Sequence, residues 1–237
     1  MKKKICLVFC RQDSKRLKNK NLALFLGKPL LYYTFDNIKK SKLFDRIILS
    51  TDGKKIAETG KKLGFEVPGL RPKKYAKEKS NVFDAHNYIF KKLLLNDKNS
   101  IVCIVNNNPF INSKLLNNTY KIYKKFKYKY ITTLARPTST DEVYYRQFKK
   151  KNKKIIPMFK KKLIKSKINS NQTEKTFYNL GEIRWASIKL LSSFKKYNEN
   201  LSRKGNKFYL IDRDDYYDIH TYKDLKLSET LYKLNKL

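Results

Sequence analysis

Directly after an apolar run at residues 4–10 the chain reads Cys10-Arg11-Gln12-Asp13-Ser14-Lys15-Arg16-Leu17-Lys18-Asn19-Lys20-Asn21, a dense set of groups suited to binding phosphate. Arg11, Lys15 and Lys20 offer cations, and Ser14 with exposed backbone amides offers donors for triphosphate oxygens. If residues 4–10 form a strand of an open α/β sheet, this segment lies at its carboxyl end, where such sheets bind ligands. The GxxxxGK[ST] spacing of a Walker loop is absent. Taken alone, the segment also reads as a basic surface turn.

No second constellation competes with it. His86 falls in a helical stretch, no serine sits in a nucleophile elbow, and Cys6, Cys10 and Cys103 lack metal-ligand spacing. The cysteines read as buried thiols in a reducing, cytoplasmic setting. Three lysines precede an apolar stretch too short for a signal sequence, and no run approaches a membrane span. The formal charge of +36 would gather phosphates on any fold, yet only nine of the 56 basic residues are arginine. That lysine bias suits solvated surfaces, so no specific nucleic-acid partner is expected.

The elements that must position the loop follow an alternating order. Strands are expected at 4–10, 46–51, 65–67, 101–105 and 130–135, with helices at 29–41, 53–63, 81–95 and 113–126 between them. This predicts one α/β unit over residues 1–237 with a mostly parallel sheet and helices on both faces. Between 137 and 178 the periodicity weakens into lysine runs, read as an excursion with a hairpin near 155–159. Strands at 183–187 and 208–211 and a helix at 222–234 close the chain.

The basic loop, followed by Gly27-Lys28-Pro29-Leu30, by Leu43-Phe44-Asp45-Arg46 running to Ser50-Thr51-Asp52, and by Leu70-Arg71-Pro72, resembles the acylneuraminate cytidylyltransferase family. Those enzymes read RGGSKxxxxKN, GKPL, LFDxVxVSTD and LRP in the same order, and an ordered series is more specific than any one motif. The resemblance covers the first 85 residues or so well, with fainter echoes beyond. It implies a Rossmann-like nucleotidyltransferase fold with a dimerisation excursion, a homodimer, CTP as nucleotide and an acidic, sialic-acid-like 2-keto sugar as acceptor. Position by position it assigns Arg11, Ser14, Lys15, Lys20, Asn21 and Arg71 to the nucleotide. Asp52 falls where the family's STD does, and is also readable as a cap for the following helix.

Near the C-terminus Asp218-Ile219-His220-Thr221 looks like the family's DIDT, whose two aspartates hold magnesium. Residues two apart on a strand share a face, so such a pair can clamp one ion. Asp218 fits the first position, while His220 stands at the second, where magnesium would prefer oxygen. The resemblance implies Mg²⁺, with Mn²⁺ as an alternative. Compensation could come from Asp212, Asp214 or Asp215, although these read more simply as a solvated turn.

Other departures concern the sugar side. Gln12 and Asp13 replace paired glycines, and Val105 and Ile111 stand where the family's LQPTSPxR has glutamine and arginine. Asn107 and Asn108 remain as amides for the sugar, with Gln172. Arg184 could meet the sugar carboxylate unless Glu182, on the same strand face, neutralises it. The run from Tyr178 to Trp185 is nearer the pseudaminic-acid branch's DAGQFYW than the NGAIY of others, while Trp185 itself suits a core. The reading is therefore CMP transfer from CTP to a nonulosonic acid. Its alternatives are a related nucleotidyltransferase with another acceptor and a catalytically impaired nucleotide-binding or polyanion-binding descendant.

Overall fold

In β1 (Lys4–Cys10) the residues Ile5, Cys6, Leu7 and Val8 are wholly buried, as a continuous apolar run in a strand covered on both faces requires. The computed structural model describes residues 2–14, 16–76, 82–126, 130–135, 148–151, 154–157, 178–193, 206–212 and 215–234. After β1 come a 3₁₀ turn at Lys20–Leu22, a small ribbon of β2 (Leu24–Phe25) and β3 (Lys28–Pro29), α1 (Leu30–Lys40), β4 (Arg46–Thr51) and α2 (Lys54–Leu63). A second 3₁₀ turn at Lys73–Tyr75 leads to α3 (Val82–Asp97), β5 (Ile101–Val105), α4 (Ser113–Phe126) and β6 (Tyr130–Ala135). The hairpin β7 (Phe148–Lys151) and β8 (Lys154–Pro157), then β9 (Tyr178–Ser187), α5 (Ile188–Ser192), β10 (Lys207–Ile211) and α6 (Tyr222–Leu234) follow.

Six strands form one sheet in the order β10-β6-β9-β5-β1-β4. Five run the same way, and β9 is antiparallel to both its neighbours. The alternation along β1 divides the core. Cys6, Val8 and Cys10 join Leu31, Phe35, Ile56, Leu116 and Trp185 beneath α1, α2 and α4, whereas Ile5 and Leu7 join Ile89, Phe90, Leu93 and Ile188 beneath α3 and α5. Helices thus cover both faces, as the alternating pattern predicts.

Where the fold departs from the sequence reading, local chemistry explains it. The strand expected at 65–67 is a single parallel bridge between Ile48 and Glu66. Gly64, at φ 105°, ends α2 immediately before it, and Pro68 lacks the donor to continue a ladder. Strand β9 begins well before residue 183, because pairing with β6 overrides the weak strand propensity of Asn179, Gly181 and Glu182. Helix α5 is too short to leave a periodic signature, and Ser187 Oγ caps it by accepting from the Leu190 amide at 3.2 Å. The expected hairpin is β7–β8, while Phe159 and most of the 137–178 excursion lie outside the described residues.

The three cysteines are free and buried, and burial pushes the Cys10 thiol up to about 12, so it is inert at neutral pH. Among the described residues no helix is long and apolar enough to cross a membrane.

Candidate functional site

Because five strands share a direction, their carboxyl ends leave loops on one side of the sheet. A cavity of about 380 Å³ opens there. Phe9, Arg11, Asp13, Ser14, Lys20 and Asn21 line it from β1 and the loop beyond; Asn106, Asn107 and Asn108 come from the end of β5. Glu182 on β9 and Asp218 and His220 ahead of α6 form the rest of the wall. Cations and carboxylates thus line one cavity.

A chain of side-chain hydrogen bonds fixes the loops. Thr34 Oγ1 on α1 donates to Asn107 Oδ1 at 2.7 Å, Asn107 Nδ2 donates to Asn21 Oδ1 at 2.9 Å, and Asn21 Nδ2 donates to the Arg11 carbonyl at 2.8 Å. Asn108 Nδ2 donates to the Tyr217 carbonyl at 3.0 Å, tying the loop after β5 to the segment carrying Asp218. Asn107 and Asn108, assigned by sequence to the sugar, therefore spend most of their bonding capacity on the scaffold, although both still border the cavity. Arg11 curls onto its own loop, its Nε donating to the Asp13 carbonyl at 2.8 Å.

Arg71 and Asp52 brace the same loop from behind. Arg71 is buried, donates from Nη1 to the Ser50 carbonyl and Oγ, each at 3.2 Å, and reaches Asp52 Oδ1 from Nη2 at 3.4 Å. Asp52 Oδ1 in turn accepts the Gln12 amide at 3.0 Å. Arg71 does not line the cavity, and its hydrogen bonds go to Ser50 and Asp52. The capping reading of Asp52 is corrected: Gly53 is the N-cap of α2, with no side-chain bond.

Glu182 is the wall residue that sequence reading weighed only as a neutraliser of Arg184. Since β9 runs antiparallel, its first half lies at the carboxyl ends of the other strands. The β6–β9 register shifts between Thr132 and Leu134, Gly181 takes φ 59°, and the freed amides of Glu182 and Ile183 donate to Thr133 Oγ1 at 3.0 and 3.2 Å. Such a bulge re-aims a side chain. Glu182 Oε1 accepts from Asn106 Nδ2 at 3.1 Å, while Oε2 is buried with no hydrogen-bond partner. Burial raises its pKa to about 7, with the Asp218 charge adding to the rise and Asn106, Tyr216 and Lys20 opposing it. The sequence signal was an acidic residue placed between Gly181 and the buried Ile183 and Trp185.

Asp218 and His220 do come together, with His220 Nε2 at 2.6 Å from Asp218 Oδ2 and both side chains partly exposed, His220 42% and Asp218 45%. The expected strand geometry is not how: residues 216–220 form no strand. A capping box fixes them instead, in which Asp224 Oδ2 accepts the His220 and Thr221 amides at 3.0 and 2.7 Å and the Asp224 amide donates to Thr221 Oγ1 at 3.2 Å. Among the described residues no group of three His, Cys, Asp or Glu side chains could hold a metal. Magnesium keeps several waters and takes one or two carboxylates beside substrate phosphates. Asp218 fits that demand, whereas His220 is a poor ligand for it. Asp212 and Asp215 are exposed and off the cavity wall, and Asp214 lies outside the described residues.

The remaining sequence candidates are dispersed. Lys15 and Gln172 lie outside the described residues. Arg184 is buried on β9 away from the cavity wall, with no hydrogen bond to its Nε, and Glu182 does not pair with it. His86, expected to have no chemical duty, is buried against Phe9 with ring centroids 4.4 Å apart. Burial first, then the charges of Arg184 and Arg71, push its pKa well below the ordinary value. Trp185 is core: its Nε1 donates to Thr119 Oγ1 at 3.0 Å, and it stacks on Phe44 at 5.5 Å.

A family model described as Cytidylyltransferase matches residues 5–154. A pseudaminic acid cytidylyltransferase of Campylobacter jejuni subsp. jejuni serotype O:23/36 (strain 81-176) is 27% identical over 237 residues, covering 98% of this chain and 97% of its own. A CMP-N,N'-diacetyllegionaminic acid synthase of Legionella pneumophila subsp. pneumophila (strain Philadelphia 1) is 30% identical over 51% of this chain and 53% of its own. Among solved structures, a CMP:2-keto-3-deoxy-manno-octonic acid synthetase complexed with CTP superimposes with TM-score 0.72 at 12% identity, covering 98% of this chain and 99% of the other. That last likeness speaks to the fold.

Proposed function

Because the chain belongs to the cytidylyltransferase family and is a CTP-dependent nucleotidyltransferase, we propose that it transfers CMP from CTP to the 2-hydroxyl of a nonulosonic acid, releasing pyrophosphate. The observation that carries this reading is the cavity that Arg11, Lys20, Asp218 and Glu182 line together. Pseudaminic acid, or a sugar like it, is the acceptor favoured by the full-length likeness to the Campylobacter enzyme. Trp185 lends that choice no support, since it is packed in the core. A homodimer belongs to the same reading, and light scattering checks it.

The phosphates lie against the loop after β1, where Arg11, Lys20, Ser14 and, on the resemblance, Lys15 offset their charge. Asp218 would hold Mg²⁺ or Mn²⁺ shared with the triphosphate, and that ion would neutralise charge developing on the phosphoryl oxygens. The acceptor hydroxyl attacks the α-phosphorus from the side opposite the leaving pyrophosphate, so no covalent enzyme intermediate is needed. Positioning and charge account for the catalysis in such a transfer.

Pyrophosphate release from CTP, tried with pseudaminate, legionaminate, N-acetylneuraminate and 3-deoxy-octulosonate, tests the proposal. Release with one of the nine-carbon acids supports it. Release only with 3-deoxy-octulosonate points to a nucleotidyltransferase with another acceptor, and silence from protein that still binds CTP points to an impaired descendant.

A further inference from the structure

We propose that Glu182 is the general base of the transfer, its Oε2 taking the proton of the attacking hydroxyl. This rests on the cytidylyl-transfer reading of the cavity. Three observations carry it. Glu182 borders the same cavity as Asp218, Arg11 and Lys20, which puts a carboxylate at the site of the proposed transfer. Its backbone is fixed by two bonds to Thr133 Oγ1 and its Oε1 by Asn106, so the carboxylate is held in one place. That Oε2 is buried without a hydrogen bond of normal geometry, with the Tyr216 hydroxyl beside it, and a ligand hydroxyl would complete the arrangement.

The charge around it suits proton transfer near neutral pH. Lys20, Arg11 and Asp13 face it from the loop after β1, and Asp218, His220 and Tyr216 from the segment before α6, with Arg184 on its own strand. Burial sets its proton affinity at about pH 7, and a general base works best when its pKa is near the operating pH. His220, by contrast, has its Nε2 committed to Asp218. In the step, the hydroxyl oxygen bonds to the α-phosphorus as the bond from phosphorus to the bridging oxygen of pyrophosphate breaks. Pyrophosphate leaves with that electron pair, and the hydroxyl proton passes to Glu182 and from there to solvent.

The test compares wild type, Glu182→Gln and Glu182→Asp with CTP and whichever acceptor wild type uses. Wild-type kcat is expected to rise with pH and level off above about 7. Glu182→Gln should lose about 10²- to 10⁴-fold in kcat, lose that limb and keep its affinity for CTP; Glu182→Asp should keep the limb at reduced kcat. A folded Glu182→Gln with wild-type kcat, or with the same limb, overturns the proposal. If Glu182→Gln fails to fold, a carboxyl titration of wild type by carbon-13 NMR decides: a midpoint matching the kcat limb supports the role, and one at the ordinary glutamate value overturns it. Wild type inactive on every acceptor overturns the transfer reading itself, and this role with it.

Discussion

Asn107 Nδ2 donates to Asn21 Oδ1 at 2.9 Å, so the loop at the end of β5 holds the phosphate-side loop at the end of β1. Both side chains are buried, and each is already bonded onward to Thr34 or to the Arg11 carbonyl. Replacing Asn107 by leucine leaves buried partners at both ends unsatisfied. Asn107→Leu should cost about 1–3 kcal/mol in urea unfolding and weaken CTP binding by roughly tenfold through loss of loop order.

Lys20 is a phosphate-side cation that opens the 3₁₀ turn whose Asn21 is locked to Asn107. Lys20→Ala should reduce CTP affinity by about 10- to 100-fold, as loss of a charge-assisted bond implies. Calorimetry at low and high salt checks this, since the deficit should shrink as salt screens the wild-type contact.

His220→Asp should restore a carboxylate where magnesium prefers oxygen. The expected result is at least a roughly tenfold lower Mg²⁺ concentration for half-maximal turnover. An unchanged metal requirement would mean that Asp218 alone already supplies what the protein contributes.

The raised pKa of Glu182 makes stability depend on pH with a definite sign. Between the ordinary 4.5 and about 7, the folded protein holds a proton that the unfolded chain has released. Stability therefore falls as pH rises through that window; the penalty is absent below it and fully present above it. Glu182→Gln should remove the slope and, above pH 7, stabilise the fold by on the order of 3 kcal/mol. Thermal unfolding of both proteins across the window measures it.

The sequence makes the sheet and the phosphate loop readable because both are local patterns. Apolar runs mark the strands, and a basic loop follows the first of them. The capping box at Thr221 and Asp224 is equally local, whereas the strand pairing expected of Asp218 and His220 needs a strand that residues 216–220 do not form. Glu182 was hidden for a different reason: its place depends on the antiparallel direction of β9 and on a bulge, both set by pairing with β6 and not by residues near it in the chain. Arg71 shows the limit of a motif: a cation can brace a loop as well as bind a ligand, and its bonds to Ser50 and Asp52 are visible only in the structure.

The most direct measurement follows CTP and pseudaminate with Mg²⁺ by phosphorus-31 NMR, using wild type and Asp218→Ala. The account predicts loss of the CTP signals with matched growth of pyrophosphate and a CMP-sugar phosphodiester in wild type, and little or none in the variant. Folded wild type that binds CTP but forms no phosphodiester with any nonulosonic acid, or an Asp218→Ala protein that forms it at the wild-type rate, would contradict it.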